Sequence, residues 1–214
     1  MIVSLTLCAT ASASRENVVE TPPGSDPVPL LVVLHGDHEH APAAAARWRT
    51  AAKHAGWALL ALECPSALGC KDSFWKWDGD PQWVRDQIDA VAKHRAIDRA
   101  RIVLVGWSGG ASYLGMHAQA WSEVAAIVIH GGGMAPTSAD CGDRKPPVYF
   151  LVGDKNPLHK LAIDLRDYFQ TCKHDVTWDV VKGAEHDREE SALTAKKADA
   201  ILQWVTTRVA SSAR

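Results

Sequence analysis

The residues best suited to chemistry lie in the pentapeptide 106–110, which reads Gly-Trp-Ser-Gly-Gly and fits the pattern G-x-S-x-G. It follows a predicted strand, 101–105, and precedes a predicted helix, so its serine would stand on a sharp turn between them. The start of that helix would offer backbone N–H groups to a developing negative charge. The sequence therefore predicts Ser108 as a nucleophile and the N–H of Gly109 as one donor of an oxyanion hole.

A serine hydroxyl becomes a useful nucleophile when an oriented base takes its proton. Where a nucleophilic serine stands at such a junction, an acid and then a histidine follow it in the chain. His186 comes after the last predicted strand and Asp154 after an earlier one, which predicts His186 as the base and Asp154 as the acid that orients it. Glu185 and Asp187 are alternatives only if the acid lies in the histidine loop itself, with Asp187 the next candidate.

The second oxyanion donor is expected in the loop after the first predicted strand, which reads His-Gly-Asp-His over 35–38. The backbone N–H of Asp37 or of His38 would donate there. The run His-Gly-Gly-Gly over 130–133 matches a known donor motif more closely, but it follows the nucleophile in the chain. We therefore expect that run to form a wall of the pocket.

The polar side chains of 35–40 would also suit a metal ion, since imidazole and carboxylate groups are metal ligands. The metalloprotease spacing H-E-x-x-H is absent from the sequence. A solvated polar loop is therefore the prediction for this segment. We expect neither a metal ion nor an organic cofactor in the protein.

Tryptophan side chains are the best candidates for contacts with a substrate. Trp75 and Trp77 are separated by one residue in a long polar loop over 64–80. They either contact the substrate or anchor this loop to the core, and the sequence does not favour one role over the other. Trp107 and Met134 are also predicted to bind substrate.

Apolar runs alternate with helical patterns along the chain, which predicts an α/β fold with a doubly wound, mostly parallel sheet. Residues 29–214 are predicted to form a single catalytic domain after an irregular lead-in over 14–28. We expect about six strands, trimmed at the N-terminus, and no lid domain between Ile129 and Val148. In such a sheet ligands bind at the carboxyl ends of the strands, where the predicted nucleophile, acid and base all lie.

Residues 1–13 combine a short apolar run with small residues, which is typical of the end of a secretory signal peptide. We therefore expect a secreted or periplasmic protein, or a cytoplasmic one if this segment is not a signal. Removal of the segment would leave four of the five cysteines. An even number of cysteines in an exported chain indicates disulfides.

The predicted fold selects the pairing of these cysteines. Cys172 ends a predicted helix and Cys141 precedes a predicted strand, which places both at the amino edge of the sheet. Cys64 ends a strand and Cys70 lies in the loop that follows it, at the catalytic edge. Cross-pairing would have to span the sheet, far beyond the roughly 4.4–6.8 Å between Cα atoms that a disulfide permits. The sequence therefore predicts Cys64–Cys70 and Cys141–Cys172.

The composition is that of an ordinary globular protein, with 214 residues, 47% of them hydrophobic, and a net charge of −2. This charge gives no electrostatic reason to expect nucleic acid as a partner. No apolar run approaches the ~20 residues of a membrane span, so no membrane insertion is expected. The expected partner is a small-molecule or polymer-linked ester, and the oligomeric state is left open.

From Leu31 to His186 the chain resembles the α/β-hydrolase superfamily, and within it the secreted polyhydroxybutyrate depolymerase and feruloyl esterase group. The segments that carry the resemblance are 35–36, 75–78, 81–95, 97–102 and 106–110.

This resemblance implies a serine ester hydrolase that acts through an acyl-enzyme on short-chain, aromatic or polymer-linked carboxylic esters. It gives the triad roles to Ser108, Asp154 and His186. A serine peptidase on the same fold and a non-catalytic binding module are the alternatives.

Overall fold

The computed structural model describes residues 16–212, which form a seven-stranded sheet covered by helices on both faces. The strands are β1 (Val18–Glu20), β2 (Val28–Leu34), β3 (Ala58–Leu62), β4 (Ile97–Trp107), β5 (Ala126–His130), β6 (Val148–Gly153) and β7 (Val176–Val181). The helices are α1 (Ala41–Ala55), α2 (Gln82–Ala92), α3 (Gly109–Met116), α4 (His159–Thr171), α5 (His186–Ala192) and α6 (Ala195–Ser212). Short 3₁₀ turns cover Ser66–Leu68 and Ala118–Trp121.

The strands lie in the order β1-β3-β2-β4-β5-β6-β7, and neighbouring strands are parallel except for β1 and β3. The predicted doubly wound, mostly parallel sheet is confirmed, with one strand more than the expected six or so. The additional strand, β1, lies inside the segment 14–28 that the sequence predicts to be irregular. Val19 is exposed at the sheet edge and its two neighbours are half-buried, and three residues are too few for an apolar run that would reveal a strand.

The central strands are apolar on both faces because helices cover both. Leu30, Val32 and Leu34 of β2 pack into a core shared with α2, α3 and α4. Leu31 and Val33 point to the opposite face and pack against α1 and α6. All five side chains are at most 1% exposed, as expected for a strand buried between two helical layers.

The C-terminal region forms two helices, where the sequence predicts one over about 190–208. The first, α5, begins at His186 and ends at Ala192. Leu193 and Thr194 are not helical, and α6 begins at Ala195. The N–H of Lys197 donates to the Thr194 hydroxyl, 3.2 Å away, which caps the start of α6. His186 therefore stands on a helix rather than in an irregular loop.

The structure brings together both predicted cysteine pairs. Cys64 and Cys70 are linked at a Cα–Cα distance of 5.9 Å, and Cys141 and Cys172 at 5.2 Å. The first pair lies at the carboxyl edge of the sheet and the second at the amino edge, as the predicted topology requires.

The segment between β5 and β6 contains no helix or strand, which agrees with the absence of a lid domain there. No helix within residues 16–212 combines the length and the apolar character needed to cross a membrane. The predicted signal segment, 1–13, lies outside the described residues.

Candidate active site

Ser108 stands between β4 and α3 in a backbone conformation that is rare for a residue with a side chain, with φ at 50° and ψ at −108°. The turn is so sharp that its glycines touch neighbouring backbone. A Cβ on Gly106 would lie 2.6 Å from the backbone N of Ala111, and a Cβ on Gly110 would lie 2.7 Å from the carbonyl oxygen of His35. This close packing explains the glycines, and the turn presents Ser108 at the carboxyl edge of the sheet.

His186 faces Ser108, with Nε2 lying 2.9 Å from Oγ. Burial lowers the pKa of the His186 imidazole, while the negative charges of Asp187, Glu190 and Glu39 act in the opposite direction. A neutral imidazole within hydrogen-bond distance of a hydroxyl is the arrangement that general-base catalysis requires. The structure thus brings together the serine and the histidine that the sequence singles out, although 78 positions separate them.

The indole of Trp107 supports the imidazole of His186. The two rings are stacked, with centroids 4.6 Å apart and planes inclined by 12°. His130 contacts the same indole at 4.3 Å, and complete burial lowers the pKa of His130 to about 3, so this neighbour is neutral. A Cβ on Gly131 would overlap the indole ring. Trp107, predicted to bind substrate, is 6% exposed and packs against both histidine rings.

The side-chain amide of Asn156 occupies the position next to the other ring nitrogen of His186, with Nδ2 lying 3.0 Å from Nδ1. The sequence predicts Asp154 for this position, and the structure corrects that prediction. The Asp154 carboxylate is exposed and accepts a hydrogen bond from the N–H of Gly183 at 2.6 Å. Within residues 16–212, no hydrogen bond joins Asp154 to His186.

The turn after β6 determines which side chain points toward the imidazole. The N–H of Lys155 donates to the carbonyl oxygen of Ala184, and the N–H of Asn156 donates back to the carbonyl oxygen of Gly153. These bonds fold the chain back on itself directly after the strand. Asp154 is left facing solvent, whereas Asn156 is only 6% exposed. Strand-end position alone therefore selects the wrong residue.

Glu189 lies behind the amide and is completely buried. Its Oε2 accepts a hydrogen bond from Nδ2 of Asn156 at 2.6 Å, and its Oε1 has no hydrogen-bond partner among the described residues. Burial raises the pKa of the Glu189 carboxyl, and the hydrogen bond from Asn156 opposes this. Sequence reasoning missed both residues. The three-residue spacing of His186 and Glu189 would have placed them on one helix face.

The loop after β2, where the second oxyanion donor is predicted, packs against the turn that carries Ser108. The Asp37 carboxylate packs so closely on the Cα of Gly109 that a Cβ there would overlap it, and it accepts a hydrogen bond from the N–H of Trp75 at 2.9 Å. In the part of the chain that the structure describes, the backbone N–H groups of Gly109, Asp37 and His38 donate to no protein acceptor.

Comparison with solved structures identifies the architecture. The chain is similar to an esterase named PE8, with 18% identity and a TM-score of 0.65, over 89% of this chain and 98% of that one. It is similar to a carboxylesterase of Bacillus cereus, with 16% identity and a TM-score of 0.66, over 92% and 96%. A truncated carbohydrate esterase from gut microbiota gives 14% identity and a TM-score of 0.70, over 90% of each chain.

The chain has the α/β-hydrolase fold. At these identities the similarity establishes the fold and nothing further. Neither the protein-family models nor the curated protein sequences compared with this chain give a match.

The aromatic loop over 64–80 is attached to the α/β-hydrolase core through Trp75. This side chain is 4% exposed, its Nε1–H donates to the carbonyl oxygen of His35 at 2.8 Å, and its ring packs against Tyr113. The structure therefore gives Trp75 the anchoring role of the two considered, and corrects its prediction as a substrate contact. Trp77 is 36% exposed and Met134 is half-buried, so both remain candidates for substrate contact.

The polar side chains of 35–40 are engaged with other protein groups. Glu39 forms an ion pair with Arg47, which also pairs with Glu190. His40 lies 2.7 Å from the Glu63 carboxylate. Among residues 16–212, no three His, Cys, Asp or Glu side chains are grouped as metal ligands.

Proposed function

We propose that this protein is a carboxylic ester hydrolase that uses Ser108 as its nucleophile and forms an acyl-enzyme. The observation that carries the proposal is the 2.9 Å contact between Ser108 Oγ and His186 Nε2 on a strained turn at the carboxyl edge of the sheet. The strain at Ser108 supports a functional role, since such conformations cluster at active sites. Ester hydrolysis is also what the names of the similar structures state of those proteins.

In the proposed reaction Ser108 Oγ attacks the carbonyl carbon of the ester, and Nε2 of His186 takes the hydroxyl proton. The carbonyl oxygen becomes an oxyanion that the N–H of Gly109 and an N–H of Asp37 or His38 stabilise. The imidazolium then donates its proton to the leaving alcohol as the C–O bond breaks. Water then attacks the acyl carbon and gives a proton to Nε2 of His186. The bond between the acyl carbon and Ser108 Oγ breaks, the imidazolium returns the proton to Oγ, and the carboxylic acid leaves.

The absence of a helix or strand between β5 and β6 leaves the site without a lid in that segment. An open site favours short acyl esters, or esters carried on bulky or polymeric substrates, over long-chain lipids. Trp77, exposed at the same edge as the nucleophile, is the side chain we propose for contact with such a substrate.

A panel of short nitrophenyl esters and matched peptide amides, assayed on wild type and on Ser108→Ala, tests this proposal. We expect ester hydrolysis that depends on Ser108 and little cleavage of the amides. Preferential cleavage of amides would favour the peptidase alternative. Equal, near-background rates in both proteins on every ester would favour a binding module and overturn the proposal.

The pH dependence of kcat/KM should reflect the environment of His186. The base must be neutral to accept a proton, and burial lowers the pKa of this imidazole below its ordinary value of 6.5. Activity should therefore rise with pH and reach half of its plateau below pH 6.5. Initial rates on a nitrophenyl acetate between acid and neutral pH measure this, and a midpoint above 6.5 would contradict it.

We also propose that the protein is exported. Two disulfides, one of them between cysteines 31 positions apart, support an oxidising compartment.

A further inference from the structure

The residue next to Nδ1 of His186 is an amide, and its two ends are chemically different. A carboxylate in that position can only accept a hydrogen bond, whereas the Asn156 amide either donates through Nδ2 or accepts through Oδ1. Which end faces the imidazole therefore determines which imidazole nitrogen carries the proton. This inference rests on the proposed function of Ser108 and His186.

Three contacts besides His186 determine the orientation of this amide. Oδ1 of Asn156 accepts a hydrogen bond from the N–H of Leu158 at 2.8 Å. Nδ2 donates to Oε2 of Glu189 at 2.6 Å and lies 3.3 Å from the carbonyl oxygen of Gly131. Turning the amide by half a rotation would place its oxygen against two other oxygens and its NH₂ against an N–H. Because the site is buried, polar groups left without hydrogen-bond partners in this way would raise the free energy of the folded protein.

With the amide in this orientation, its nitrogen lies 3.0 Å from Nδ1. An amide nitrogen does not accept hydrogen bonds, so a proton on Nδ1 would find no acceptor at Asn156, and Nδ1 is the nitrogen left unprotonated. A neutral imidazole carries its single proton on the other nitrogen, which is then the Nε2 that faces Ser108. We infer that Asn156, held in place by Glu189, is a positioning residue that keeps resting His186 protonated on Nε2 and so restrains its action as a base. The carboxylate that would favour the opposite tautomer is present, but it lies one side chain further away, at Glu189.

Catalysis depends on which nitrogen of the His186 imidazole carries the proton. Nε2 accepts the Ser108 proton through its lone pair, which is free only when the imidazole proton is on Nδ1. In a well-characterised serine protease, replacing the acid of the triad by its amide retains the geometry but lowers kcat by about 10⁴, because it stabilises the wrong tautomer. Here the amide occupies that position in the native sequence.

Nitrogen NMR on protein labelled with ¹⁵N-histidine tests the tautomer directly. At a pH well above the His186 pKa, we expect Nε2 to give the signal of a protonated nitrogen and Nδ1 that of an unprotonated one. Comparison with His186→Ala assigns the signals. A protonated Nδ1 in the resting protein would overturn the inference, whatever the catalytic activity.

Exchanging the amide and the carboxylate tests the effect on rate. The double variant Asn156→Asp/Glu189→Gln keeps the net charge and the number of heavy atoms, and it brings a carboxylate into direct contact with Nδ1. We expect kcat for a nitrophenyl ester to rise at least about tenfold, with KM nearly unchanged, because only the tautomer is corrected. The midpoint of the acid limb should move upward, since a carboxylate beside the ring favours the imidazolium.

The other charges that face His186, on Asp187, Glu190 and Glu39, are unchanged in this variant, so the shift in the midpoint reports the exchange alone. If the double variant does not fold, Asn156→Asp alone tests the same point. Its new carboxylate lies beside Glu189, and two carboxyl groups at such a distance share one proton. The Glu189 side chain would hold that proton, and we again expect a rise in kcat.

Asp154→Asn is the matched control, because it makes a carboxylate-to-amide change in the same turn. Its new amide can still accept the hydrogen bond from Gly183, and we expect kcat to stay within about twofold of wild type. Ester hydrolysis by wild type together with no gain in either variant at position 156 would overturn the inference and leave the proposed function standing. No Ser108-dependent hydrolysis in any protein would overturn the proposed function, and NMR would still report the tautomer.

Discussion

Ser108→Ala and His186→Ala should each lower kcat for ester hydrolysis by on the order of 10². In a serine hydrolase with a complete triad, loss of the serine or the histidine lowers kcat by about 2 × 10⁶, and loss of the acid alone lowers it by about 3 × 10⁴. With an amide facing Nδ1, wild-type kcat is already lowered as it is by loss of the acid. The further loss expected on removing Ser108 or His186 is therefore the ratio of these two figures. Steady-state rates on a nitrophenyl ester measure the effect.

The double variant Ser108→Ala/His186→Ala should be no slower than either single variant, because the two side chains act as a unit across their 2.9 Å contact. His54→Ala is the matched control. This histidine lies in the last turn of α1, its side chain is 63% exposed, and it contacts Asp199 rather than the site. Losses that multiply in the double variant would show that Ser108 and His186 contribute independently, against the proposed mechanism.

Removal of the Cys141–Cys172 disulfide should lower the free energy of unfolding by about 3–4 kcal/mol. The bond closes a loop of 31 residues, and the chain-entropy model gives about this value for such a loop. Without the cross-link the unfolded chain has more conformational entropy, which stabilises the unfolded state. Chemical denaturation of Cys141→Ala/Cys172→Ala against wild type, both without reductant, measures the change.

The second disulfide provides the matched control. Cys64 and Cys70 are only six positions apart, so the same model gives about 2 kcal/mol for Cys64→Ala/Cys70→Ala. The longer loop should therefore have the larger effect. Equal losses in both variants, or no loss on removing the longer one, would contradict the entropic explanation. Reduction of wild type with dithiothreitol should approach the sum of the two losses.

The sequence by itself determined the parallel sheet and singled out Ser108 and His186, which the structure brings within hydrogen-bond distance. Continuous apolar runs such as that of β2 form only when both faces of a strand are covered, so their alternation with helical patterns specifies the layers. The glycines around Ser108 indicate the sharp turn from the sequence alone, because the turn leaves no space for Cβ atoms at Gly106 and Gly110. The cysteine pairing followed from the topology alone, since each pair lies at one edge of the sheet.

Only the tertiary structure decided what surrounds His186. Asp154 and Asn156 are two residues apart, and the backbone hydrogen bonds of the turn after β6 determine which of them points inward. One of those bonds joins Lys155 to Ala184, 29 positions further along the chain, so the local sequence does not determine the orientation. Likewise, Trp75 anchors its loop because His35 and Tyr113 lie beneath it. Glu189 is buried because α5 docks against β6, a contact between elements that no periodicity specifies.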